Sequence, residues 1–97
     1  MKSVTFAVNG SNVNVSGELT RHTVMQVANK ELKSVFSHNA VELDFSQVTH
    51  VDTAGLAWLF LLLEQAATHN CQLTFQGLPK KLDKLIELSG VQGLLPV

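Results

Sequence analysis

Asp52 and Thr53 bring a carboxylate and a hydroxyl together just ahead of the longest apolar run in the chain, Ala54 to Leu63. That run reads as a helix, so the pair falls near its N-terminus. There four backbone N–H groups lack partners and the helix dipole is positive. One reading of the pair is capping alone, worth about 1 kcal/mol. The other adds that a phosphate on Thr53 would sit on an anion-binding helix end. It would also place up to about two negative charges beside Asp52 on any surface that the helix end presents. The residue types alone do not separate these two readings.

Other chemistry is sparse. His50 lies close to Asp52 and Thr53 in sequence, but strand alternation sends His50 and Asp52 to one side while Thr53 turns into the helix. No Ser or Cys with a distinct base completes a nucleophilic set, so no catalytic residue is expected. His22, His38, His50 and His69 are scattered, without an i, i+4 pair, and no metal ligand is expected among them. Cys71 is the single cysteine; it cannot form an internal disulfide and reads as a small buried hydrophobe. The glycines at 10, 17, 55, 77, 90 and 93 form no phosphate-binding loop, so no nucleotide cofactor is expected. Gly90-Val-Gln-Gly93 reads as helix termination. Lys80, Lys81 and Lys84 read as the solvated face of one helix. With seven Lys plus Arg against eight Asp plus Glu, the formal charge is -1, and the absence of a basic stripe argues against nucleic acid as a partner.

The elements that position these residues follow from the hydropathy pattern. The chain has 97 residues, 45% apolar and 15% charged, the size and balance of one small domain spanning 1–97. The apolar run Ala54 to Leu63 is ten residues, about half of the roughly 20 that cross a membrane. The N-terminal residues alternate apolar and polar without the apolar core of a signal peptide, and with the single cysteine this gives the expectation of a soluble protein of a reducing compartment. Val4, Phe6 and Val8, then Val13 and Val15, alternate on either side of Asn9-Gly10, which predicts a β-hairpin. Thr20 reads as the N-cap of a first helix, with Leu19 and Val24 at staple positions, although Thr23-Val-Met-Gln26 offers a competing start. Val24, Ala28, Leu32, Val35 and Phe36 would form that helix's apolar stripe.

Val41, Leu43 and Phe45 then predict a third strand, with Val48 and Val51 following around a polar stretch. The second helix runs from the Asp52 corner to about Asn70. Cys71, Leu73 and Phe75 predict a fourth strand, and Leu82, Leu85 and Ile86 a last helix with Pro79 in its first turn and Gly90 past its end. Leu94, Leu95 and Val97 read as a docked terminal turn. The hairpin strands pair antiparallel and the later ones parallel through helical crossovers. The result is an α/β fold: one four-stranded mixed sheet covered by three helices and a short C-terminal turn.

The second helix is apolar around much of its girth. At 100° per residue, Leu56, Leu59, Phe60, Leu63 and Ala67 form the stripe expected to face the sheet. Trp58 and Leu61 then project from the opposite side, with Leu62 on its flank. Either a third helix buries them or they form an exposed apolar patch. So few other elements remain to cover them that a partner surface is the expectation, with Trp58 as its anchor.

Val51-Asp-Thr-Ala-Gly-Leu-Ala57, after the strand Val41-Glu-Leu-Asp-Phe-Ser46, resembles the signature of STAS domains, the family of the bacterial anti-anti-sigma factors. The order of elements and the Gly17-Glu18-Leu19 strand end are also similar, so the resemblance spans essentially the whole chain. It implies that Thr53 matches the family's phosphorylatable hydroxyl, Asp52 its preceding acid and Gly55 the small residue of the first helical turn. Within the family, the short length and the Leu-rich helix look most like the stand-alone STAS subunits of Mla-type ABC phospholipid transporters, which maintain outer-membrane lipid asymmetry. That likeness implies a cytoplasmic, non-catalytic subunit bound to the transporter's ATPase and peripheral to the inner membrane through it. The expected interface is Asp52, Thr53, Ala54, Ala57, Trp58 and Leu61. The alternative implied by the wider family is a phospho-switch that acts through Thr53.

Overall fold

The computed structural model describes residues 2–96. Four strands, β1 (Thr5–Asn9), β2 (Asn12–Leu19), β3 (Ala40–Val51) and β4 (Gln72–Gln76), form one sheet in the order β1-β2-β3-β4. β1 and β2 are antiparallel, whereas β2–β3 and β3–β4 are parallel. The hairpin loop is Gly10–Ser11, with Asn9 opposite Asn12. Gly10 has φ +63° at the first central position, a conformation that glycine adopts without strain.

Four helices follow: α1 (Arg21–Val24), α2 (Asn29–Val35), α3 (Thr53–Thr68) and α4 (Lys80–Ser89), then a short 3-10 turn at Gln92–Leu94. The single first helix expected over this region is thus two. Thr20 is the N-cap of α1, but its first turn is tied back to the sheet by Thr23. The buried Thr23 hydroxyl donates to the Glu18 carbonyl at 2.6 Å and accepts from the Thr20 N–H at 2.9 Å. A turn held to the end of β2 cannot also run along the core, so the chain breaks after Val24 and restarts at Asn29. Ala28, expected inside the stripe, is exposed at the restart, while Leu32, Val35 and Phe36 enter the core.

β3 is a continuous twelve-residue strand with two register shifts against β2. They explain why its buried residues change spacing, from Val41, Leu43 and Phe45 to Val48 and Val51. Asp44 fixes the first shift by accepting the Ser46 N–H at 2.8 Å. That bond, together with the Ser46 side chain, holds the Asp44 carboxyl below the ordinary carboxylate range. Val13, Val15, Leu43, Phe45, Leu73 and Phe75 share the buried face of the sheet with the helices. The opposite face is polar and uncovered, carrying exposed Thr5, Asn14 and Thr74. α4 ends as expected, with Gly90 left-handed at φ +69° and Val91 donating back to the Ile86 carbonyl. Of the expected terminal turn, Leu95 is buried and Leu94 exposed, and Val97 lies outside the described residues.

Two predictions follow from these anchors. Thr23→Val removes a buried hydroxyl and strands its partners, so urea unfolding should show a loss of about 1–3 kcal/mol. Asp44 has a folded pKa below its unfolded one, so its contribution to stability is present above the unfolded value and is lost as pH falls through the folded value. Asp44→Asn should accordingly flatten the acid limb of the stability–pH curve. An unchanged limb would refute the linkage.

Candidate functional site

The corner between β3 and α3 is built by three backbone contacts around Asp52. Its N–H donates to the Leu19 carbonyl at 3.1 Å, carrying the sheet ladder one residue past the strand. Its Oδ1 accepts the Gly55 N–H at 3.1 Å, which makes Asp52 the N-cap of α3. Its Oδ2 accepts the Arg21 N–H, also at 3.1 Å, which binds the start of α1 to the start of α3. One carboxylate therefore serves two helix N-termini, each with unpartnered donors to satisfy.

With Asp52 as the cap, Thr53 becomes the first helical residue. It is exposed, and among the described residues nothing hydrogen-bonds to its hydroxyl. Of the pair, Asp52 alone caps the helix. His50 does not join them: its Nδ1 lies 3.2 Å from Thr49 Oγ1 and 3.9 Å from Glu18 Oε2.

Gly55 sets the rotation of α3. A Cβ at this position would lie 2.4 Å from the Leu19 carbonyl oxygen, so only glycine lets the helix approach β2 this closely. With Gly55 against the sheet, the buried residues are Gly55, Leu56, Trp58, Leu59, Leu62 and Ala66. This is the expected stripe of Leu56, Leu59, Phe60, Leu63 and Ala67 displaced by about one residue. Trp58 is consequently only 4% exposed, and its ring packs against Phe6 of β1 at 6.1 Å between centroids. The expected exposed patch around Trp58 is corrected on this point: β1, not a third helix, covers the indole.

What remains outward is a groove of about 250 Å³ between α1 and α3. Val24 and Met25 form one wall, Ala54, Ala57 and Leu61 the other, and Trp58 contributes to the lining between them. No charged side chain lines it. Met25 is 78% exposed and Leu61 43%, a large apolar exposure for a domain of this size. Four of the residues expected at an interface, Ala54, Ala57, Trp58 and Leu61, thus share one groove, and Asp52 and Thr53 stand just ahead of it in α3. Val24 and Met25 were missed as groove residues because Val24 was assigned to a long helix's buried stripe. The one available signal was a methionine out of phase with that stripe.

Among the described residues, no three of His, Cys, Asp and Glu gather to hold a metal ion, and no helix is long and apolar enough to cross a membrane. Cys71 is buried, and burial pushes its thiol pKa up, away from reactivity.

The sequence matches a protein-family model described as "Mlab, STAS domain" over residues 3–96. No curated protein matches it significantly. Among solved structures it is similar to the anti-sigma factor antagonist SpoIIAA in its unphosphorylated form, with a TM-score of 0.69 at 16% identity, covering 96% of this chain and 85% of that one. It is also similar to the Bacillus cell fate determinant SpoIIAA in the phosphorylated form, with a TM-score of 0.63 at 14% identity, covering 96% of this chain and 88% of the other. At such identities the structural likeness speaks for the fold alone. The family match over nearly the whole length carries the assignment: the chain belongs to the STAS domain family.

Proposed function

We propose that this domain is a non-catalytic regulatory or scaffolding subunit, docked through the α1–α3 groove and the adjoining Thr53 corner onto the ATPase of an ABC phospholipid transporter of the Mla type. The observation that carries the reading is the groove itself, an uncharged cleft with Met25 and Leu61 exposed on its two walls. The description of the matching family model supports the choice of transporter. An apolar helix of an MlaF-like ATPase would fill the cleft in the helix-in-groove manner, anchored by side chains spaced i, i+4. Binding would favour whichever ATPase conformation presents that helix, since a partner shifts an equilibrium only by its differential affinity. The domain would then work at the cytoplasmic face of the inner membrane without entering it, in a system that maintains outer-membrane lipid asymmetry.

A second reading is favoured by one observation, the exposed and unbonded Thr53 hydroxyl. In it, a kinase charges Thr53 and the added phosphate, at the edge of the groove and beside Asp52, expels the partner. The two readings share a docking surface and differ in whether Thr53 is modified.

The expected outcomes separate structural from interface roles. In the isolated domain, Asp52→Ala should cost about 1–2 kcal/mol in chemical denaturation, because a cap is lost. Thr53→Ala should stay within about 0.5 kcal/mol of the parent. Met25→Glu and Leu61→Glu should leave the fold intact but weaken binding to a purified Mla-type ATPase at least about tenfold by calorimetry, with Thr53→Ala giving a smaller loss. Full affinity in all three variants would remove the groove from the interface. Mass spectrometry of the Thr53 peptide from cells decides the second reading, which fails if that residue is never phosphorylated.

A further inference from the structure

The sheet has two edges, and the chain treats them differently. At β4 the Phe75 N–H donates to the Pro96 carbonyl at 2.9 Å, so the C-terminal segment covers that edge. At β1, no described strand pairs with the outer side. The two-residue loop makes Asn9 and Asn12 the closing pair of the hairpin. Such a pair exchanges both of its backbone hydrogen bonds. Alternation then turns the N–H and C=O groups of Ala7 and Thr5 toward β2, and those of Phe6 and Val8 outward. Exposed edges are normally guarded by charge, proline or a bulge. Thr5-Phe-Ala-Val-Asn9 has neither charge nor proline, and its register with β2 runs without a shift. Val8 stands 49% exposed along it.

We propose that β1 is a self-association edge, at which a second copy of this chain adds its own β1 antiparallel about a two-fold axis through Ala7. In that register Phe6 of each copy lies opposite Val8 of the other. These are the residues whose backbone groups point outward, so four inter-chain hydrogen bonds form. Ala7 meets its twin at the non-hydrogen-bonded position, where Cα atoms approach to about 4.5 Å. Each cross-strand pair is compatible: aromatic with β-branched on the helix side, and small with small, then Thr5 with Asn9, on the open side. An isologous contact satisfies both copies at once, and the strand has no charged residue that would select a foreign sequence instead. The groove residues take no part, so this contact and the ATPase reading stand or fall separately.

The test is sedimentation of the full chain from about 10 μM to about 1 mM, a range suited to a small contact. The parent should dimerise. Ala7→Lys and Ala7→Glu set like charges face to face at the axis, and each alone should weaken dimerisation at least about tenfold. An equimolar mixture of the two should restore it. A mixed-label parent sample should also show an Ala7 Hα–Hα cross-peak between chains, a reading that needs no variant. A parent that stays monomeric throughout, an Ala7→Lys variant that dimerises as the parent does, or a mixture that stays monomeric would each overturn the proposal.

Discussion

The approach of Gly55 to the end of β2 is the contact on which the rest of the site depends. The helix touches Leu19 in its first turn at a residue without a side chain, and a Cβ there would lie 2.4 Å from the Leu19 carbonyl oxygen. The rotation this contact imposes sends Trp58 inward against Phe6 and leaves Ala54, Ala57 and Leu61 outward. Asp52 reinforces the contact with bonds to both sides of the corner, one to Gly55 and one to Arg21. The same carboxylate therefore places α1 beside α3 and creates the cleft between them. The groove is a consequence of a backbone approach, not of a local cluster of apolar residues.

The topology decides which surfaces remain free. Strands lie in sequence order and each parallel step is made through a helical crossover, so with the usual right-handed connections the helices fall on one face. The other face stays polar, as the exposed Thr5, Asn14 and Thr74 record. β1, entering as a hairpin arm with no crossover beyond it, must be an edge. Its inner-side residue Phe6 closes over Trp58, so β1 serves the core on one face while its outer backbone groups remain available. A four-stranded sheet of this order has only two edges, and the C-terminal segment protects just one of them.

Much of this was legible in the residues. The hairpin, the Thr20 start, the Asp52 corner, and the C-terminal end of α4 follow from local chemistry, and each such signal is confined to a few neighbouring residues, whereas Pro79, expected in the first turn of α4, stands just before it as the N-cap. The failures share a cause: they depend on contacts between residues far apart in sequence. The break after Val24 arises because Thr23 bonds to Glu18, a strand carbonyl that no helical pattern can announce. The phase of α3 differs from the one its pattern predicts because Ala54 to Leu63 is apolar all round, so the helical wheel alone fixes its rotation poorly. The two shifts in β3 stretched its pattern from steps of two to steps of three, which resembled a strand followed by a loop. Gly55 stands out in sequence as a motif residue, but its steric consequence depends on Leu19, thirty-six residues away.

Asp52 and Thr53, inseparable by residue type, divide the work of the corner. Capping needs an acceptor in the extended residue before the first turn, and Asp52 has that conformation, with φ -137° and ψ -174°. The residue after it is already helical and exposed, and its hydroxyl adds no hydrogen bond to the cap. A hydroxyl in that place is free to meet a partner or to carry a charge without loosening the helix it begins. Asp52 already places one negative charge at this helix end, so a phosphate on Thr53 would add up to about two more beside it, whereas unmodified threonine adds none. The corner can thus be rigid and addressable at once, because stability rests on one residue and exposure on the next.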